Sequence, residues 1–314
     1  MDGGRAPDPE QVSRQTYFGL RYGMVALAVL LYVGVLIQLF GYGCGQGSIS
    51  AYYFTPVRPV LIAALAAIGV GLIIYRGSTP LENTVLDVAG FLAIVVAFVP
   101  TSTPAAGTGC SVTDQLLSGD VLGAVGPETA ARIETAYVDR LDHDVMISIA
   151  NSVIALFVAG FLALYLGRLI RPAAGATSPT PDTQRSRWSG VAVMVLLCIG
   201  LALYLILDRQ TFRLVAHPVA AITFFALIIA VMVLNGAEST VPLYRWLYYG
   251  TAGVTILLMG VVALLHAVIS WVFWIETVGV AGFVAFWLMQ SHELGGSRDR
   301  SEIAPQSEAR TTAR

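Results

Sequence analysis

Eight runs of about 17–23 predominantly apolar residues, each the length that crosses a hydrocarbon core of ~30 Å, constrain this chain most. They are Tyr22–Phe40, Val60–Tyr75, Val85–Pro100, Val145–Leu169, Gly190–Leu207, Val219–Leu234, Trp246–Ala267 and Ser270–Gln290. The fold class they predict is all-α, a polytopic transmembrane helical bundle of about eight spans with both termini cytoplasmic. Composition agrees: 56 % of the residues are apolar and 12 % charged, against roughly a quarter charged in globular chains. A net charge of −2 supplies no basic field, so nucleic acid is not an expected partner and the lipid bilayer is. The first run has no small-residue cleavage site before the next polar segment and reads as a retained span.

The polar segments divide the chain. Residues 1–21 read as a disordered cytoplasmic tail, and 22–100 as the first three spans with a glycine-rich outer hairpin at 41–59. An acidic extracytoplasmic insert follows at 101–144, then the fourth span at 145–169 and a cytoplasmic linker at 170–188. The last four spans occupy 190–290, and 291–314 form a second disordered cytoplasmic tail. Arginine bias sets the orientation. With both termini inside, thirteen of the eighteen arginines fall on cytoplasmic segments, and Arg58, Arg132, Arg140, Arg209 and Arg213 fall outside. The expected location is the bacterial plasma membrane. Glycines within the spans (Gly69, Gly71, Gly90, Gly160, Gly167, Gly250, Gly253, Gly260) are expected to mark close helix–helix contacts.

The hairpin concentrates polar chemistry. Gly41, Gly43, Gly45 and Gly47 alternate through it, followed by Ser48, Ser50, Tyr52, Tyr53 and then Arg58 between Pro56 and Pro59. Cys44 and Cys110 both fall on the outer side, where a disulfide between them is expected to tie the hairpin to the insert. The insert carries seven acidic residues against two arginines. From Pro127 to Leu141 it reads as a short amphipathic helix, with Ala130, Ile133, Tyr137 and Leu141 on one face. It would rest on the bundle or act as a lid.

Ionisable groups within spans are costly and so are functional candidates. Glu276 lies inside the last span, and His266 ends the preceding one. His143, His217 and His266 fall on the outer half, and three histidines with a water could hold zinc. No H-x-x-x-H or H-E-x-x-H spacing occurs, nor a Walker loop, a G-x-S-x-G elbow, a Rossmann fingerprint or a C-x-x-C pair. Arg58 could clamp an anionic head group or pair with Glu276 or the acidic insert, and pairing is the expectation. Asp87 is expected to serve the start of the third span as a cap or dipole partner.

Ser48-Ile-Ser-Ala-Tyr-Tyr-Phe-Thr-Pro-Val-Arg58, Tyr75-Arg-Gly77, Ala216-His-Pro-Val-Ala-Ala-Ile-Thr-Phe-Phe225, Trp274-Ile-Glu276 and Phe283-Val-Ala-Phe-Trp-Leu-Met-Gln290 carry a resemblance. It is to a group of uncharacterised, largely actinobacterial, multi-pass integral membrane proteins, and covers the first three and last three spans. More remotely, the arrangement is similar to the alkaline ceramidase and adiponectin-receptor-like superfamily. That likeness implies a serine (Ser48 or Ser50), with His217 as one zinc-binding histidine. The chain departs from it in having only His266 where the superfamily pairs histidines.

Three functional readings follow. The first is a membrane protein with an outward polar pocket, lined by Tyr52, Tyr53, Arg58, His217, His266 and Glu276, that binds a lipid or small molecule without catalysis. The second is a zinc-dependent lipid amide or ester hydrolase. There His143, His217 and His266 hold the metal, Glu276 or Asp144 activates water, and Ser48 or Ser50 assists. The third is a proton-coupled transporter with Glu276 and His266 as its relay. Whether the chain is an enzyme is open at this point.

Overall fold

The computed structural model describes residues 9–101, 127–169, 181–267 and 270–295. Among them, every regular element is helical: α1 (Pro9–Leu36), α2 (Arg58–Ile74), α3 (Pro80–Phe98), α4 (Pro127–Leu169), α5 (Pro181–Leu207), α6 (Arg209–Glu238), α7 (Pro242–Leu264) and α8 (Trp271–Leu294). Five begin on proline, whose missing N–H costs nothing in the first turn and whose fixed φ suits a helix. A π-helical turn, Ile37–Gly41, continues α1, and a short 3-10 helix, Ser50–Phe54, precedes α2.

Six stretches are long and apolar enough to cross a membrane: Gln11–Gly41, Pro80–Phe98, His143–Gly160, Leu214–Glu238, Pro242–Leu264 and Trp271–Leu294. Two shorter apolar helices, Arg58–Ile74 and Val195–Leu207, coincide with the second and fifth expected spans. Large apolar side chains such as Ile154, Leu196, Ile222, Leu257 and Leu264 are exposed along these helices. Exposure of that kind is the pattern of a surface bathed in lipid, where tails are as apolar as leucine.

Element boundaries depart from the expectation in three places. Residues 9–21 are helical, with Gly19 accommodated inside α1, and Arg21 is fully buried. The insert helix and the fourth span are one 43-residue helix. Asp142-His-Asp144 holds no glycine or proline to break it. At about 1.5 Å per residue, α4 is roughly 65 Å long, about twice the ~30 Å hydrocarbon core. Its acidic half therefore continues the span as a rod and does not fold back as a lid. Thirdly, α6 begins at Arg209 and carries Pro218 in its interior, where the missing N–H removes one intrahelical bond.

The chain divides into two compact units. The first comprises Met1–Val33, Ala64–Ala93 and Thr223–Arg314. Its core draws Met24 and Ala28 from α1, Leu72 from α2, Leu86 and Ala89 from α3, Ile228 and Val231 from α6, Tyr248 from α7, and Phe286 and Trp287 from α8. Gly90 lets α3 approach α2 closely, since a Cβ there would stand 2.4 Å from the Gly69 carbonyl. Gly160, Gly250, Gly253 and Gly260 face open space instead, so they do not mark contacts.

The second unit comprises Gly34–Ala63 and Ile94–Ile222. Tyr52, Tyr53, Val99, Val145, Ile149, Phe212 and Ala216 are buried in it. Gly34 packs against the side chains of Val57 and Val60, each 3.4 Å from where its Cβ would stand.

Candidate functional site

In the second unit the hairpin is folded inward. Gly43 turns the chain with φ +68°, a left-handed conformation that glycine adopts without steric cost. The Cys44 N–H then donates to the Gln38 carbonyl at 3.1 Å. Tyr52 Oη donates to the Cys44 carbonyl at 3.1 Å, pinning the 3-10 helix to the turn. Ser48 Oγ accepts from the Ala51 N–H at 3.0 Å, and Thr55 Oγ1 donates to the Tyr52 carbonyl at 2.7 Å. Ser48, Ser50, Tyr52 and Tyr53 are all buried. Ser48 thus acts as a local cap, and its geometry shows no activating base.

Three polar groups of this unit keep open hydrogen-bonding capacity. His217, on α6, is buried, and its Nδ1 meets the Val99 carbonyl at 2.5 Å. A carbonyl only accepts, so Nδ1 carries the proton and Nε2 is left as a bare acceptor. That Nε2 has no hydrogen-bond partner. Gln46 is buried in the hairpin with its Nε2 also unpartnered. Arg58 is exposed; its Nη2 donates to Tyr53 Oη at 2.6 Å, and its guanidinium lies 4.2 Å from the Tyr53 ring centroid. Within its unit, the Arg58 guanidinium takes a phenol and its π face.

The remaining expected site residues are dispersed. His143 is exposed on α4, 4.0 Å from the Asp144 carboxylate. His266 is exposed at the end of α7, its Nδ1 directed at its own helix through the Ala263 carbonyl at 3.2 Å. Glu276 is buried on α8 and partnered. The His266–Glu276 relay is not made, because the turn after Leu264 leaves the imidazole at the surface. Among the described residues no three of His, Cys, Asp and Glu form a group able to hold a metal. Cys110, the expected disulfide partner of Cys44, lies outside the described residues. A cavity of about 440 Å³ lined by Phe98, Asn151, Ser152, Ala155, Leu156 and Ala159 includes none of the expected pocket residues.

The first unit holds a polar assembly that the reading of the sequence missed. Arg21 Nε and Nη2 donate to Tyr75 Oη at 3.2 and 3.1 Å. Tyr75 Oη donates to Gln290 Oε1 at 3.2 Å, and Gln290 Nε2 to Asn235 Oδ1 at 2.9 Å. Asn235 Nδ2 donates to Glu82 Oε1 at 2.8 Å. All five side chains are buried, and every donor in the chain points from the guanidinium toward the carboxylate. Glu82 Oε2 also accepts from the Ser78 N–H at 2.7 Å, which requires glycine at 77, where a Cβ would stand 2.2 Å from the carboxyl group.

Beside this chain, Glu293 accepts from Tyr248 Oη and Ser239 Oγ, each at 2.6 Å. Nearer the surface, Arg76 pairs with Asp87 at 3.0 Å. Because α3 begins at Pro80, Asp87 lies about two turns inside the helix and does not cap its start, and Glu82 is the acidic residue of the first turn. Two neutral amides separate Arg21 from Glu82, and amides hold their protons. The assembly is a brace between helix ends.

A local signal for the brace existed. Thr79-Pro-Leu-Glu82 has the form of a capping box with proline at the first helical position, and Thr79 Oγ1 accepts from the Glu82 N–H at 3.2 Å. Tyr75 and Gln290 also stand in the motifs that carry the family resemblance. That five residues, four of them on separate helices and Tyr75 just past the end of α2, form one chain was not encoded in any local pattern. No family model, curated protein or solved structure matches this chain.

Proposed function

We propose that this chain is an integral membrane protein of the bacterial plasma membrane, with cytoplasmic termini, whose outward hairpin unit binds a lipid or small molecule without catalysis. The observation that carries the reading is His217. A buried imidazole whose tautomer is set by the Val99 carbonyl presents a bare Nε2 with nothing to accept from. Burying an acceptor unsatisfied costs about 1–3 kcal/mol, and a ligand hydroxyl or amide N–H would recover it. Pro218 follows directly and removes one intrahelical hydrogen bond. Membership of the actinobacterial membrane-protein group belongs to the same proposal. Its support is that the shared motifs contain His217, the hairpin serines and tyrosines, and two members of the brace.

The hydrolase and transporter readings lack a comparable observation, since no metal-holding group and no His266–Glu276 pair occurs among the described residues. The test is the ¹⁵N resonance of His217 Nε2 in full-length protein, delipidated in detergent and then supplied with total bacterial lipid extract and with a soluble metabolite extract. A donated hydrogen bond shifts the resonance away from the bare-acceptor position in one of the two, and His217→Phe loses the corresponding mass adduct. A resonance unmoved by either extract rejects the reading.

A further inference from the structure

We propose that the hairpin Gly41–Pro59 and the adjoining start of α2 bind the phosphate of an anionic phospholipid, with Arg58 as the anchor. This rests on the binding reading above and names its ligand class. The open groups of the hairpin are donors. The Arg58 guanidinium has five N–H groups, of which Tyr53 engages one. Among the described residues no carboxylate pairs with it.

Its position is also set in advance. Pro56 and Pro59 restrict the backbone on both sides, and Tyr53 holds the side chain by a 2.6 Å hydrogen bond and by its ring face. The first turn of α2 has no acidic residue, so the positive end of that helix is uncompensated. Gln46, in the same hairpin, has a buried carboxamide N–H without an acceptor. Donors alone call for an acceptor-rich anion, and a guanidinium fork matches a phosphate.

The surroundings favour a lipid phosphate over a soluble one. Arg58 opens a helix whose apolar run starts at Val60, which places the cation where hydrocarbon gives way to head groups. Phe40 and Tyr42, in the turn that leads into the hairpin, are 79 % and 73 % exposed. Exposed rings at such a level are the usual membrane-interface anchors.

The test uses full-length protein in detergent, titrated with dioleoylphosphatidylglycerol, dioleoylphosphatidylcholine or inorganic phosphate and read by native mass spectrometry. Phosphatidylglycerol is expected to bind about tenfold more tightly than phosphatidylcholine, a difference of 1.4 kcal/mol. Arg58→Gln is expected to erase the preference, and Arg58→Lys to keep part of it, having the charge without the fork. Tyr53→Phe removes the positioning bond but not the ring and should weaken the preference, while Arg76→Gln should leave it intact. Persistence of the preference in Arg58→Gln overturns the proposal, as does displacement of phosphatidylglycerol by equimolar inorganic phosphate. Equal retention of both lipids with a responsive His217 resonance overturns the anionic class alone. No retained lipid with an unmoved resonance overturns both readings.

Discussion

The two units differ in how their best-defined buried polar groups are partnered. In the first, Arg21, Tyr75, Gln290, Asn235 and Glu82 pass hydrogen bonds along one line, and the charges at its ends lie among matched partners. Three buried atoms of that unit lie outside the line and make no hydrogen bond: Arg14 Nε, Glu238 Oε2 and the indole nitrogen of Trp287, whose ring packs edge-on against Tyr75 with centroids 4.9 Å apart. In the second, His217 and Gln46 are buried with a nitrogen each left open, and Arg58 stands at the surface on a phenol. Closed networks hold helices together in a medium that offers no water to compensate a broken bond. Open ones retain capacity for something else. The contrast separates the structural polar residues of this chain from its candidate binding residues better than residue type does.

The contrast can be broken most forcefully at Glu82. Replacing it with alanine takes one acceptor from Asn235 Nδ2 and another from the Ser78 N–H. Each lost acceptor costs about 1–3 kcal/mol, and the two together are read as a large drop in thermal midpoint in a fixed detergent. If Glu82→Ala melts like the parent, the brace does not stabilise the fold.

A matched pair of milder substitutions sharpens the point. Tyr75→Phe removes a hydroxyl that both accepts and donates within the brace, and should cost about 1–3 kcal/mol. Gln46→Met removes a carboxamide whose Nε2 is already unpartnered and keeps its length, so its stability cost should be much smaller while lipid retention falls. Equal destabilisation by the two would dissolve the distinction between closed and open networks.

The smallest effect belongs to neither network. Asp208 caps α6 by accepting from the Thr211 N–H at 3.0 Å. Hydrogen bonds from Thr211, its side chain first and its backbone next, lower the Asp208 pKa below the ordinary value of 3.8. A carboxyl depressed in the folded state stabilises above its unfolded pKa and loses that contribution as pH falls through the folded one. Asp208→Asn should therefore lose this small contribution at neutral pH and flatten the acid limb below pH 3.8, where the two proteins converge. An unaltered acid limb would show that the cap is not coupled to folding.

Much of the architecture was legible in the chain itself. Apolar runs of bilayer length located the helices that can span a membrane, because lipid forces the backbone to satisfy itself within each segment. Helix starts were less legible. Residues 9–21 and Pro127–Asp144 are polar, yet helix carries through them, past Gly19 in the first and with no glycine or proline after Pro127 in the second. The hairpin was recognised as polar and aromatic, but not as inward-folded, since burial of Tyr52 depends on the Cys44 carbonyl it reaches.

What the sequence determined alone is therefore one-dimensional: which segments are apolar, how long they are, where glycine and proline punctuate them, and which ionisable groups fall inside. Tertiary structure decided which of those groups meet. Arg21, Glu82, Asn235 and Gln290 belong to four different helices and Tyr75 directly follows a fifth, and a hydrogen bond needs about 3 Å between atoms that sequence spacing cannot relate across separate elements. The same packing sent His266 to the surface, left His217 with a bare nitrogen, and gave Arg58 a tyrosine in place of a carboxylate. Side-chain chemistry is written residue by residue. Whether a buried group is satisfied depends on its neighbours in space.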